Sequence, residues 1–138
     1  MSKYGAIPNI SYKNPEAVLQ FLKNAFGFSE HAIYRNDKNE IQHGELVLGN
    51  AMVMISPANN ETEFGKHTRT PSEIGGFNTQ SLYIIIEEID AHYKKAKVAG
   101  AEMIRDIKDE DYGGRGYSCK DTEGNIWSFG SYNPYSEK

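Results

Sequence analysis

The order of helix and turn signals occurs twice along this chain, and a repeat of that kind constrains a fold more than any other sequence feature. In the first half, Ile7 to Tyr12 reads as a strand and Asn14-Pro15 as a helix start. Val18, Phe21, Leu22 and Ala25 form an apolar stripe that Gly27 closes. Each signal has a physical reason. An Asn side chain accepts a free backbone N–H at the N-cap, Pro at the first helical position removes no needed donor, and Gly reaches the left-handed conformation without a Cβ clash. The second half runs through the same events. Leu82 to Ile86 is a β-branched run, Glu88 to Ala99 carries Ile89, Tyr93 and Ala96 at helical spacing, and Gly100 ends the helix. The two stops lie 73 positions apart.

Three strands follow each helix. In the first half they fall around Ala32 to Tyr34, Gln42 to Leu48 and Ala51 to Ser56, with Asn36-Asp37 and Gly49-Asn50 as turns. In the second they fall around Glu102 to Ile104, Gly116 to Lys120 and Ile126 to Tyr132, with Thr122 to Asn125 as the turn. The two Gly-Asn pairs are 75 apart, close to the spacing of the helix stops. The chain therefore reads as a single α+β domain over 1–138, made of two tandem βαβββ modules at about 5–56 and 80–134. Residues 57–79 lack helical or strand periodicity and read as a linker or a lid. One helix leaves one face of a four-stranded sheet bare, so two such modules are expected to combine around a cleft.

Composition limits the partners. The 15 Lys and Arg are outnumbered by 19 Asp and Glu, which argues against a nucleic-acid partner. No apolar run approaches a membrane span, and the start Met1-Ser2-Lys3-Tyr4 has no signal-peptide core, so the expectation is a cytoplasmic protein without a membrane partner. The one cysteine, Cys119, forms no intramolecular disulfide, which fits a reducing compartment, and it reads as a small core residue.

The segments Pro15 to Gly27, His43 to Asn50, Leu82 to Gly100 and Tyr112 to Tyr132 resemble the glyoxalase, bleomycin-resistance and extradiol-dioxygenase (vicinal oxygen chelate) superfamily, and within it the PhnB-like branch. The resemblance implies curved mixed sheets around a cleft, and a homodimer. In metal-dependent members, donors on the first and last strands of both modules hold one divalent ion. Matched to this sequence, those places fall on Ile7, on Val53 or Met54, on Ser81 and on Ser128. None is a competent ligand for such an ion. The expectation is therefore a protein with no metal cofactor that binds a small molecule, as bleomycin-resistance members do.

Strand alternation supplies a candidate cleft lining. Asn9, Ser11, Ser81, Tyr83, Ile85, Ile126, Ser128 and Gly130 are expected to face the cleft, while Tyr12, Ile84, Trp127 and Phe129 face the helices. His43 and Glu45 lie two apart on one strand and share a face. They read as an acid-base pair, as ligands of an off-pattern divalent metal, or as a polar strand edge. Arg115 and Tyr117 also share a face and are expected to bind the ligand in the cleft; Arg115 is either a clamp for an anionic ligand or a salt-bridge partner. The candidate ligand is thus anionic or aromatic. The alternative is a lyase, isomerase or dioxygenase, with or without metal, using His43 and Glu45. His31 and His92 read as surface residues, His67 as a loop residue and Asp121 as part of a turn.

Overall fold

The computed structural model describes residues 3–136, so Met1 and Ser2 of the leader reading lie outside the described residues. Two four-stranded mixed sheets and two helices account for most of the chain. The first module comprises β1 (Asn9–Tyr12), α1 (Pro15–Phe26), β2 (Ser29–Arg35), β3 (Ile41–Leu48) and β4 (Ala51–Pro57). The second comprises β5 (Leu82–Ile85), α2 (Ile89–Val98), β6 (Glu102–Asp109), β7 (Arg115–Lys120) and β8 (Ile126–Gly130). Strand order is β1-β4-β3-β2 in one sheet and β5-β8-β7-β6 in the other. The repeat thus extends to topology: in each sheet the first strand pairs in parallel with the last and forms an edge.

Local chemistry explains the helix ends. The Asn14 side chain accepts from Ala17 N–H, Pro15 opens α1, and Gly27 closes it at φ 84°. Val18, Leu19, Leu22, Ala25 and Phe26 are the buried face of α1. That face meets both sheets. The Phe26 ring lies 4.7 Å from Phe129 and 5.2 Å from Trp127, side chains of the opposite module. The modules therefore share a single core, which also takes in Tyr12, Leu46, Val53, Ile55, Tyr117 and Cys119.

A buried carboxylate joins the modules. Asp121 Oδ2 accepts the Tyr12 hydroxyl at 2.7 Å and Trp127 Nε1–H at 3.0 Å. Its Oδ1 accepts the backbone N–H of Glu123 and Asn125, closing the β7–β8 turn. Asp121 is more than the turn residue expected of it, because it also binds a tyrosine 109 positions away. Two residues on, Glu123 accepts the backbone N–H of Lys13 and of Asn14, each at 2.7 Å, at the start of α1. A side chain of one module thus satisfies backbone donors of the other.

Two expectations are corrected. His92 is not a surface residue. Its Nε2 donates to the Phe26 carbonyl at 2.8 Å, so Nδ1, at 2.6 Å, is left to accept the Tyr117 hydroxyl. Its helical spacing from Ile89 and Ala96 places it on the buried stripe. The linker is not featureless: it contains single turns at Gly65–His67 and Pro71–Ile74. The second is opened by a capping box in which Glu73 accepts from both Thr70 N–H and Thr70 Oγ1. These bonds, with one from Asn60, hold the Glu73 carboxyl down at about 2.

Replacing Asp121 with Ala strands the buried Tyr12 hydroxyl and Trp127 N–H, and is expected to cost about 3 kcal/mol in urea unfolding. Burial also lowers the His92 pKa. Because the unfolded imidazole then binds protons more readily, the stability it contributes is present above about pH 6.5 and lost as pH falls below it. Urea midpoints measured between about pH 7 and pH 5 should fall less steeply in His92→Gln than in the wild type.

Candidate functional site

The edge strands β1 and β5 border one groove of about 1290 Å³, closed on a third side by the linker. Asn9, Ser11, Ser81, Tyr83, Ile85 and Ile126 all line it, brought together from both modules, whereas Ser128 and Gly130, also expected there, lie farther along β8 and are not part of its wall. Phe64, His67, Arg69, Ile74 and Phe77 supply the linker wall. Arg69 Nη1 donates to the Thr68 carbonyl at 2.6 Å, which binds this guanidinium to its own loop. The lining mixes apolar and hydrogen-bonding groups. Phe64 and Phe77 are 69% and 74% exposed, which makes this rim one of the apolar parts of the surface.

The structure separates other candidates from that groove. On β7, Tyr117 and Cys119 are fully buried against the helices, and alternation carries Arg115 to the same side. Tyr117 is a core residue whose hydroxyl is spent on His92, and burial pushes its pKa far upward. Arg115 bonds Asp109 at 2.9 Å and Asp90 on α2 at 3.1 Å. Of the two readings of Arg115 the salt bridge is the one found, tying β7 to β6 and α2, and its two carboxylates raise its pKa further.

The opposite face of each sheet is open. On the first sheet Glu45 pairs in register with Met54, and Met54 with Asn9. His43 lies on this face too, and its Nε2–H donates to Glu45 Oε2 at 2.9 Å. A β-bulge in β2 turns His31 toward the same carboxylate, with Nε2 3.9 Å from Oε1. On the second sheet Tyr83 pairs with Ser128, and Ser128 with Ser118, the two serine hydroxyls 2.7 Å apart.

This register sharpens the metal test. The first-strand and last-strand residues that face each other on the open faces include Asn9 with Met54 and Tyr83 with Ser128, and the next pairs, Ser11 with Ser56 and Ile85 with Gly130, add no imidazole or carboxylate. Ile7 and Ser81 precede the strands, and Val53 is buried in the core. An amide, a thioether, a phenol and an alcohol do not make the imidazole and carboxylate set that a divalent ion needs here. Among the described residues no group of three or more His, Cys, Asp or Glu is placed to hold a metal ion.

Arg105 and Ser118 on the open face of the second sheet, with Glu110 and Tyr112 in the loop after β6, escaped the reading of the sequence as site residues. Arg105 is the register partner of Ser118. Its Nη1 donates to Glu110 Oε1 at 2.6 Å, and the Glu110 side chain is only 7% exposed. Bonds from Arg105 and then Tyr112 hold the Glu110 carboxyl below its usual range. The signal for Ser118 was available, since it alternates with the buried Tyr117 and Cys119. The signal for Arg105 was not, because β6 is irregular between Met103 and Lys108.

Two βαβββ modules whose first strands border a shared groove define a protein of the glyoxalase type. Residues 7–129 match the Glyoxalase/Bleomycin resistance protein/Dioxygenase superfamily, and the chain belongs to it. An uncharacterized protein of Mycobacterium bovis is 24% identical over 123 residues, covering 89% of this chain and 80% of that protein. The crystal structure of TioX from Micromonospora sp. ML1 matches with a TM-score of 0.73 at 22% identity, covering 97% of this chain and 100% of that one. A mutant of the fosfomycin resistance protein FosX from Listeria monocytogenes, complexed with Mn(II) and 1S,2S-dihydroxypropylphosphonic acid, matches with a TM-score of 0.62 at 18% identity, covering 97% and 94%. Among the described residues no helix is long and apolar enough to cross a membrane.

Burial pushes the Cys119 thiol up to about 12. It should therefore resist iodoacetamide at about pH 8 in the folded protein and react once unfolded, because the thiolate is the reactive form.

Proposed function

We propose that this protein binds a small organic molecule in the cleft between its modules and does so without the divalent metal of its catalytic relatives. The observation that carries the reading is the groove itself, which joins the first strands of both modules while the facing positions on first and last strands offer no metal-binding pair. Asn9, Ser11, Ser81 and Tyr83 are its ligand-binding residues, with Ser128 beside them on the open sheet face. FosX holds Mn(II); the donor chemistry of the present chain does not fit that ion. Segments Pro15 to Gly27, His43 to Asn50, Leu82 to Gly100 and Tyr112 to Tyr132 favour the PhnB-like branch, and the composition favours a cytoplasmic protein.

The working unit in this reading is a homodimer. The chain exposes 9014 Å² of accessible surface. That is about a quarter more than the roughly 7,200 Å² of a compact monomer of its 15.5 kDa mass, and the excess is of the size a protomer buries in a stable interface. A second reading rests on the His43–Glu45 hydrogen bond at 2.9 Å on the open face of the first sheet. There the carboxylate orients the imidazole for proton transfer, and the protein is an enzyme.

Metal analysis and non-denaturing mass spectrometry of protein purified without a tag separate the readings. The expected result is a dimer of about twice the 15.5 kDa chain mass that retains a small molecule, with little Ni, Fe, Mn or Zn. Retention should be lost in Ser81→Trp, which fills the groove, and kept in His43→Ala. Stoichiometric metal that disappears in His43→Ala overturns the proposal.

A further inference from the structure

We infer that the open face of the second sheet recognises a planar, uncharged aromatic molecule bearing acceptor oxygens, with Arg105 as its anchoring residue. This rests on the cleft-binding reading and extends it from Tyr83, which lines the groove, onto the sheet face beside it, where Arg105, Ser118 and Ser128 name the ligand class. Arg105, Ser118, Ser128 and Tyr83 are successive register partners across β6, β7, β8 and β5, so their side chains share one face. Four strands span three inter-strand intervals, about 14 Å, the length of a fused aromatic system of two or three rings with substituents. The equivalent residues of the first module, 73 or 74 positions earlier, are Ala32, Glu45, Met54 and Asn9, themselves register partners. The cation and the two hydroxyls therefore belong to the second module alone.

The floor of this face is flat. Gly116 and Gly130 are register partners, and Tyr83 lies across Gly130, where a Cβ would stand 2.5 Å from its hydroxyl oxygen and 3.0 Å from its ring. The Tyr83 hydroxyl is fixed by donation to the Tyr132 carbonyl at 2.7 Å, while 41% of the residue remains exposed. Tyr112 packs edge-on to Tyr132 with centroids 5.1 Å apart, adding a second ring beside it.

Charge selects the ligand. The Arg105 guanidinium is matched by Glu110 at 2.6 Å, so the pair is neutral as a unit. An anionic ligand reaching Arg105 would meet the Glu110 carboxylate, whereas a carbonyl or phenolic oxygen would not be repelled. The guanidinium retains donors beyond those used by Glu110 and Tyr112 on a side chain that is 39% exposed. Of the two hydroxyl protons on Ser118 and Ser128, only one lies in their mutual bond, which leaves the other for a ligand acceptor.

The test is a fluorescence titration at about pH 6 with 7-hydroxycoumarin, uncharged there, and with naphthalene-2-carboxylate, an anion of similar ring size. Wild-type protein should bind the coumarin saturably and more tightly than the naphthoate. Arg105→Met and Tyr83→Leu should each weaken it about tenfold, the effect of one lost bond to a charged donor or one ring contact. Arg105→Lys keeps the pairing with Glu110 and the fold while losing the planar fork, and should also weaken binding. Arg115→Met should change it less than about twofold, since its partners are Asp90 and Asp109. Tighter binding of the naphthoate, or coumarin affinity unchanged by Arg105→Lys, overturns the inference. If a small molecule still co-purifies with wild-type protein in that case, the cleft reading stands without it; if nothing co-purifies and neither probe binds, both fall.

Discussion

The buried carboxylate of Asp121 is the point on which the two modules depend. Its oxygens hold a tyrosine from the first strand of one module and a tryptophan from the last strand of the other, and they also close the turn between. A carboxylate taken from water is tolerated only where its lone pairs find donors, and here three side-chain and two main-chain donors supply them. Because those donors lie on both sides of the junction, the demand for satisfaction becomes a demand for one relative placement. The aromatic packing of Phe26 on Trp127 and Phe129 fills the space that this placement leaves.

The junction is also where the repeat ceases to be symmetrical. The β7–β8 turn carries Asp121 and Glu123, while its counterpart at Gly49-Asn50 has no acidic residue to reach the start of α2. Glu88, the N-cap of α2, makes no side-chain capping bond, whereas α1 is capped by Asn14 and by Glu123 from across the junction. The open faces diverge in the same way. Equivalent register positions carry an acid with flanking imidazoles in the first module and a neutralised arginine with two hydroxyls in the second. A duplicated backbone thus presents two chemically different walls, and a molecule held by both would be gripped in one orientation.

Much of the fold was legible because it rests on local chemistry. Asn14-Pro15 and Gly27 bracket α1 as their backbone preferences require, and the repeat extended the same logic to Gly100. The linker turn was missed by the same logic: Thr70-Pro71-Ser72-Glu73 has the spacing of a capping box, but no apolar stripe follows it, so periodicity gave no helix and the box yields only one turn. The site was less legible because strand parity decides it. Cys119 in the core and Tyr117 in the cleft were incompatible expectations, since residues two apart on a strand face the same way. Taking Cys119 as the fixed point sends Tyr117 and Arg115 to the helices and Ser118 to the open face. Arg105 had no such anchor, because a bulged strand does not keep alternation.

Both strands that border the groove are sheet edges, and each is only four residues long. An exposed edge is a template for adding another strand, and proteins limit that hazard by keeping edges short or covered. Beside β1 and β5 stand Phe64 and Phe77, whose exposed rings would favour such pairing in a longer strand. The groove is therefore the part of this molecule with most to gain from being filled. An occupant that covers it would raise the protein's resistance to aggregation as well as its folding stability, so that solubility itself would report whether the cleft is empty.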